Sequence, residues 1–170
     1  ATEITSDVRG ALWEKLLVNV GINAITALTG IKNGQILDLE ATRALSRAAV
    51  AEAMAVAKAL KIDVSDDPVK HVLEVAAATG ANRSSMGQDV DHRRQTEIGA
   101  INGAVVREAE RLGLDAPHNR GLVNFLPPMT RINTYRLNAR YNAATQFLGE
   151  LAFQADRVLA RAMRSWGLPE

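Results

Sequence analysis

Lys15, Asn19 and Asn23 recur every four residues inside "ALWEKLLVNVGINAITALTG", a stretch that is otherwise almost wholly apolar. A helix turns about 100° per residue, so Asn19 stands about 40° and Asn23 about 80° around from Lys15, with Thr26 between them at about 20°. These groups share one narrow arc, roughly 12 Å long from Lys15 to Asn23. Glu14 points elsewhere. A solvent-facing stripe would draw on Lys, Glu and Arg, which favour helices. Asparagine does not, because its amide competes for backbone hydrogen bonds. Two asparagines here are amides kept for what they bond, whether a ligand or a packed polar interior, since a buried amide must find partners. A lysine in a partly apolar cleft has its pKa pulled down by desolvation. It can then give up a proton near neutral pH, or hold a carboxylate, while amides beside it orient hydroxyl, carboxylate or carbonyl oxygens. That chemistry suits a small oxygen-rich acid. Metal chemistry would ask for clustered His and carboxylates. His71, His92 and His118 are scattered and read as surface or loop residues, so no metal site is expected.

The elements that must carry this stripe are helices. Thr5, Ser6 and Asp7 are N-cap candidates for a helix to about Leu28, with Gly30 as its stop. "KNGQ" reads as a turn centred on Asn33-Gly34. A second helix is expected from about Leu39 to Leu60. Asp67-Pro68 reads as a cap followed by proline at the first helical position of a third, to about Thr79. Ser84 and Ser85 cap a short helix to about Arg93, another runs from about Glu97 to Leu112, and Pro117 opens one to Leu126. After Pro127-Pro128 a single pattern covers 132–166. There Leu137, Tyr141, Ala144, Leu148, Leu151, Ala155, Val158 and Ala162 form a heptad-like stripe. It suits a helix packed on its own domain or one paired with a second chain. No strand-like alternation, G-x-G-x-x-G or Walker loop occurs.

The whole chain of 170 residues is 47% apolar and only 4% aromatic, enough to bury a core, and its wealth of alanine leans all-helical. A net charge of +1 argues against a nucleic-acid partner. There is no cysteine, which closes disulfide and thiolate-metal readings. "ATEITSDVRG" lacks the apolar core of a signal peptide, and no apolar run approaches the roughly 20 residues that span a bilayer. The expectation is a soluble, cytoplasmic protein with no membrane partner.

A second stretch, "NRSSMGQDVDHRRQTEIGAINGAVVREAERLGLDAPHN" (82–119), joins the first. Together they carry K-x3-N-x3-N, an N-G turn, S-S-M-x-Q-D, T-E-I-x-x-I-N-G and P-x-N in order. Over residues 5–126 this resembles the C-terminal domain of ketopantoate reductase (2-dehydropantoate 2-reductase), a family that reduces a 2-oxo acid with NADPH on the route to pantothenate. The resemblance implies that Lys15 is the catalytic lysine, donating the proton to the forming alkoxide. It implies that Asn19, Asn23, Asn33 and Ser85 bind substrate, and that Glu97 is catalytic and sits at the cofactor end of the cleft. Read without it, Glu97 is an acid in a helix's first turn, favoured by the dipole. Asp89 reads as a structural hydrogen-bond acceptor, and Asn102-Gly103 as a site of close helix packing. Gly99 stands where the family pattern has an acid.

The expected architecture is an all-α, multi-helix bundle resembling that C-terminal domain, with a long extra C-terminal helix. Residues 1–128 form the catalytic, substrate-binding domain; residues 129–170 form an extension able to dimerise. The N-terminal dinucleotide-binding domain, which would hold most of the NADPH, is absent from this chain, so the chain alone is expected to be inactive. The competing readings are a non-catalytic helical module for dimerisation or small-acid binding, and a reductase for another 2-oxo acid.

Overall fold

A computed structural model of the chain describes residues 7–126. The stripe expected over 132–166, and the extension as a whole, lie outside the described residues.

Asp7 starts the first helix, α1 (Val8–Thr29), its carboxylate accepting from Gly10 N at 2.9 Å. Gly30 ends it at φ 78°, its N–H donating to Thr26 O at 3.0 Å. A residue with a β-carbon would cost about 1–2 kcal/mol in that left-handed conformation. Then follow α2 (Glu40–Ala59), α3 (Pro68–Ala78), α4 (Ser85–Asp91), α5 (Asn102–Leu112) and α6 (Pro117–Phe125). No strand occurs among the described residues. The expected caps of α3 and α4 are present: Asp67 accepts from Lys70 N at 3.0 Å, and Ser84 accepts from Gly87 N at 3.0 Å.

Two local expectations change. "KNGQ" is more than a turn: Asn33–Leu37 winds into a 3₁₀ helix. Gln35 closes its start by accepting from Lys32 N at 2.8 Å, and the N–H groups of Asn33 and Gly34 donate to Asn82 O and Gly80 O. The helix expected from Glu97 begins instead at Asn102. Residues 97–101 form an isolated turn in which Glu97 O accepts from both Ala100 N and Ile101 N. Ile101 then leaves helical geometry at ψ −91°, and Gly103 N reaches back to Ile98 O. Ile98, Ile101 and Asn102 are all buried; their spacing would share one face of a regular helix as well, so the break lies in the backbone at Ile101 and not in which side chains turn inward.

α1 is the axis of the bundle. It packs on α2, α3, α4, α6 and the 3₁₀ helix, and every residue from Gly21 to Ala27 is buried. Gly21 permits this convergence: a β-carbon there would lie 2.6 Å from Val72 Cγ1 on α3 and 2.8 Å from Val50 Cγ2 on α2. Contrary to the sequence expectation, α1 is long and apolar enough to cross a bilayer by length and composition alone. Half of that window is buried inside the fold, as in the core helix of a folded bundle.

A buried polar cluster ties the later helices to this axis. Asn102 Nδ2 donates to Asn119 Oδ1 at 2.9 Å and reaches Val20 O on α1 at 3.4 Å. Asn119 Nδ2 donates to Ala49 O at 2.9 Å and to Glu52 at 2.7 Å. Glu52, on α2, also accepts from the backbone N–H groups of His118 and Asn119 and so caps α6 from another helix. Asn102 thus serves polar bonding, while a β-carbon on its neighbour Gly103 would press on Arg107 Nη1 at 3.3 Å and Ile98 O at 3.4 Å.

Candidate active site

The polar stripe of α1 deepens along the helix: Lys15 is exposed, Asn19 half-buried, Asn23 and Thr26 buried. α4 covers its deep end. There Asn23 Nδ2 donates to Ser85 Oγ at 3.4 Å, and the Thr26 hydroxyl bonds Ser84 Oγ at 2.6 Å. A 3.4 Å bond is long, and Ser85 is otherwise exposed. Both groups therefore keep hydrogen-bonding capacity for something else. Lys15 makes no hydrogen bond or ion pair among the described residues. Glu14 does point elsewhere, accepting from Ser65 N on the other flank. That flank carries a shallow groove of about 580 Å³ whose lining includes Asp7, Glu14 and Asp63 but none of the expected site residues.

The remaining expected residues make no hydrogen bond or ion pair with Lys15, Asn23 or Ser85 among the described residues. Asn33 is buried beyond the C-terminal end of α1, where Nδ2 donates to Thr79 Oγ1 at 3.0 Å. Its Oδ1 has no partner among the described residues, and no hydrogen bond joins it to Asn23 or Ser85. Glu97 is exposed on the turn between α4 and α5 and makes no ion pair with Lys15. Asp89 accepts no side-chain hydrogen bond among the described residues; the acid that does is Asp91. Position 99 is open space, with nothing within 4 Å of a β-carbon, so no crowding demands glycine there. Among the described residues no three His, Asp or Glu side chains converge as a metal site would require.

The sequence reading missed Arg83. Its Nη1 donates to Thr26 O (2.5 Å) and Ile31 O (2.9 Å), while Nε and Nη2 grip both oxygens of Asp91 at 2.9 and 3.0 Å. The guanidinium hydrogen-bonded to Asp91 holds that carboxyl below its ordinary pKa. A partial signal was present in the spacing Gly87-x3-Asp91, which aligns two residues on one face of α4 with Arg83 just ahead of the helix. Glu52 was missed as well, and no local pattern marks it.

Residues 7–129 match the family model described as "Ketopantoate reductase PanE/ApbA C terminal". The chain belongs to the ketopantoate reductase family. Within that family it is 42% identical over 123 residues to a 2-dehydropantoate 2-reductase of Pyrobaculum aerophilum, covering 72% of this chain and 44% of the relative. A ketopantoate reductase from Ralstonia eutropha superposes with a TM-score of 0.69 at 30% identity, covering 83% of this chain and 44% of that one. A ketopantoate reductase from Staphylococcus aureus, described as dimeric, superposes with a TM-score of 0.64 at 28% identity, covering 82% and 45%. The chain thus spans less than half the length of the ketopantoate reductases it matches, and what it matches is their helical C-terminal domain.

Proposed function

We propose that this chain is the helical, substrate-binding part of an oxidoreductase that reduces ketopantoate to pantoate, in pantothenate biosynthesis, with NADPH. The observation that carries the reading is the meeting of Asn23 and Ser85, 62 residues apart in sequence. Both were expected to touch substrate, and they meet beside the stripe headed by Lys15.

Reduction of a 2-oxo acid places hydride on the carbonyl carbon and charge on its oxygen. The dinucleotide, when bound, supplies the hydride. Lys15, exposed and unpaired among the described residues, has its ammonium available to the forming alkoxide. It stabilises the developing charge and then hands over a proton. Asn19, one turn along, and Asn23 with Ser85, two turns along, bond the acid's carboxylate and hydroxyl oxygens and hold the carbonyl at the lysine end. Glu97 offers its exposed carboxylate at the cofactor end of the cleft, and the unpartnered oxygen of Asn33, buried in this structure, would have to be uncovered for Asn33 to join them. The described elements are all helical and the sequence has no glycine-rich phosphate loop. A separate N-terminal domain therefore holds the dinucleotide's phosphates in this reading. That domain would also close over Lys15 and exclude water, which strengthens every charge interaction in the cleft.

The longer protein is read as a cytoplasmic homodimer, with residues 1–128 as the domain that binds substrate and 129–170 as the dimerising extension; the Staphylococcus aureus relative described as dimeric supports the dimer alone. The test is reductase activity of this chain joined to its dinucleotide-binding domain, with ketopantoate and other 2-oxo acids. Lys15→Ala should lower kcat/KM by about 10²–10⁴-fold. Because Lys15 is exposed, folding stability should stay within about 0.5 kcal/mol. Undiminished turnover in Lys15→Ala would remove the proposed mechanism.

A further inference from the structure

We propose that Arg83 is a positioning residue that sets where the Ser85 hydroxyl stands relative to Asn23. The inference rests on the preceding reading of Asn23 and Ser85 as substrate contacts, and adds the device that fixes their geometry.

Three consecutive residues fasten the start of α4 to α1. Ser85 is held by the 3.4 Å bond from Asn23, and Ser84 by the 2.6 Å bond with Thr26. Arg83 is held by two charge-assisted bonds to backbone carbonyls, Thr26 O and Ile31 O. The first is the weakest, and Ser85 is exposed, so its own contacts do not fix it. Its place is inherited from its neighbours: Met86 after it, buried in the core, and the two residues before it. Of those, only Arg83 is anchored at both ends, to the carbonyl end of α1 and to Asp91, the last residue of α4. A cation at the carbonyl end of a helix is also favoured by the helix dipole.

Gly87 makes this route available. The guanidinium lies against it so closely that a β-carbon would sit 2.7 Å from Cζ and Nη1 and 3.0 Å from Nε. Arg83 thus runs along one face of α4, over Gly87, to Asp91. Without that grip the segment keeps Ser84, the Asn33 N–H bond to Asn82 O and the buried Met86 as anchors, and the Ser85 hydroxyl between them shifts relative to Asn23. The lowered pKa of the Asp91 carboxyl agrees with a persistent grip.

Two variants test this by opposite routes. Arg83→Met removes the grip. Gly87→Ala keeps the charge but displaces it, while giving α4 a better helix former. In the reductase made of this chain and its dinucleotide-binding domain, both should raise KM for the 2-oxo acid about tenfold, the weight of one hydrogen bond. Turnover per folded molecule and KM for the dinucleotide should stay unchanged, and Arg83→Lys should recover part of the loss. Loss of folded protein would instead scale kcat and leave KM alone. In parallel, the Asn23 side-chain amide resonances of the 170-residue chain should shift in Arg83→Met and Gly87→Ala, as they do in Ser85→Ala. Unchanged Asn23 resonances in both variants overturn the inference. So does a wild-type KM in both when Ser85→Ala has raised it. If Ser85→Ala and Lys15→Ala leave catalysis untouched, the functional reading fails and takes the substrate role of Ser85 with it. The amide resonances report separately whether Arg83 places that hydroxyl.

Discussion

Replacing Glu52 with glutamine keeps the side chain's shape and removes half of what it does. The carboxylate is only 11% exposed. Its Oε1 accepts from His118 N (2.9 Å) and from His118 Nδ1 (2.7 Å). Its Oε2 accepts from Asn119 N (3.0 Å) and Asn119 Nδ2 (2.7 Å). Glutamine has one acceptor oxygen and turns the other position into a donor. The amide will keep its oxygen toward Asn119, which is fully buried, and oppose its NH₂ to the two His118 donors. Bonds to a charged acceptor are worth about 1.5–3 kcal/mol each. His118 is half exposed, so water recovers much of that loss. Neutralising a charge at the N-terminus of α6 adds about 0.3–1 kcal/mol. The sum is a destabilisation of about 2 kcal/mol, read as a lower urea midpoint with an unchanged m-value. Amide exchange should quicken at the start of α6, where the His118 N–H loses its acceptor. Glu74→Gln is the control: its 3.9 Å pair with Lys70 is exposed and should matter by less than about 0.5 kcal/mol. If the two variants share a midpoint, Glu52 is not holding α6, and the account of the polar cluster is wrong.

Gly21→Ala gains about 0.5–1 kcal/mol of helix propensity. Its β-carbon meets two valine methyls on different helices at 2.6 and 2.8 Å, and overpacking of that kind costs about 1–3 kcal/mol. It should lower the melting temperature, whereas Gly99→Ala, with nothing within 4 Å, should raise it slightly by about 0.4–1 kcal/mol of reduced unfolded-state freedom. Equal melting temperatures would show that the three-helix junction relaxes freely. Asp91 has its folded pKa lowered by Arg83, so its contribution is fully present above the unfolded value near 3.8 and is lost as pH falls through the folded one. The stability gap between wild type and Asp91→Asn should be constant above about pH 5 and close below about pH 4. Unfolding midpoints that keep the gap at pH 2.5 would count against the ion pair.

Much of the fold is written in short stretches. Asp7 and Gly30 bound α1, Asp67-Pro68 opens α3 and Ser84 caps α4, because a cap bonds to a neighbour three or four residues away. The Lys15–Asn19–Asn23 arc is equally local, since it needs only the pitch of one helix. Where neighbours along the chain were insufficient, the reading failed. Nothing near Glu97 announces that the helix waits until Asn102: Ile98, Ile101 and Asn102 have the spacing of one continuous helical face, and the backbone nonetheless breaks at Ile101. What the Asn33 amide bonds was not legible either: Thr79 lies 46 residues on.

The residue types suited to an oxygen-rich acid, and the helices that carry them, follow from spacing along the chain. Which of them meet does not. Asn23 finds Ser85, Arg83 finds Thr26 and Ile31, and Glu52 finds α6 across separations of 52 to 67 residues. Such pairs form only once the apolar faces of α1, α2 and α4 have packed. Burial of those faces sets the helices' positions, and the polar groups must then satisfy one another wherever packing has left them.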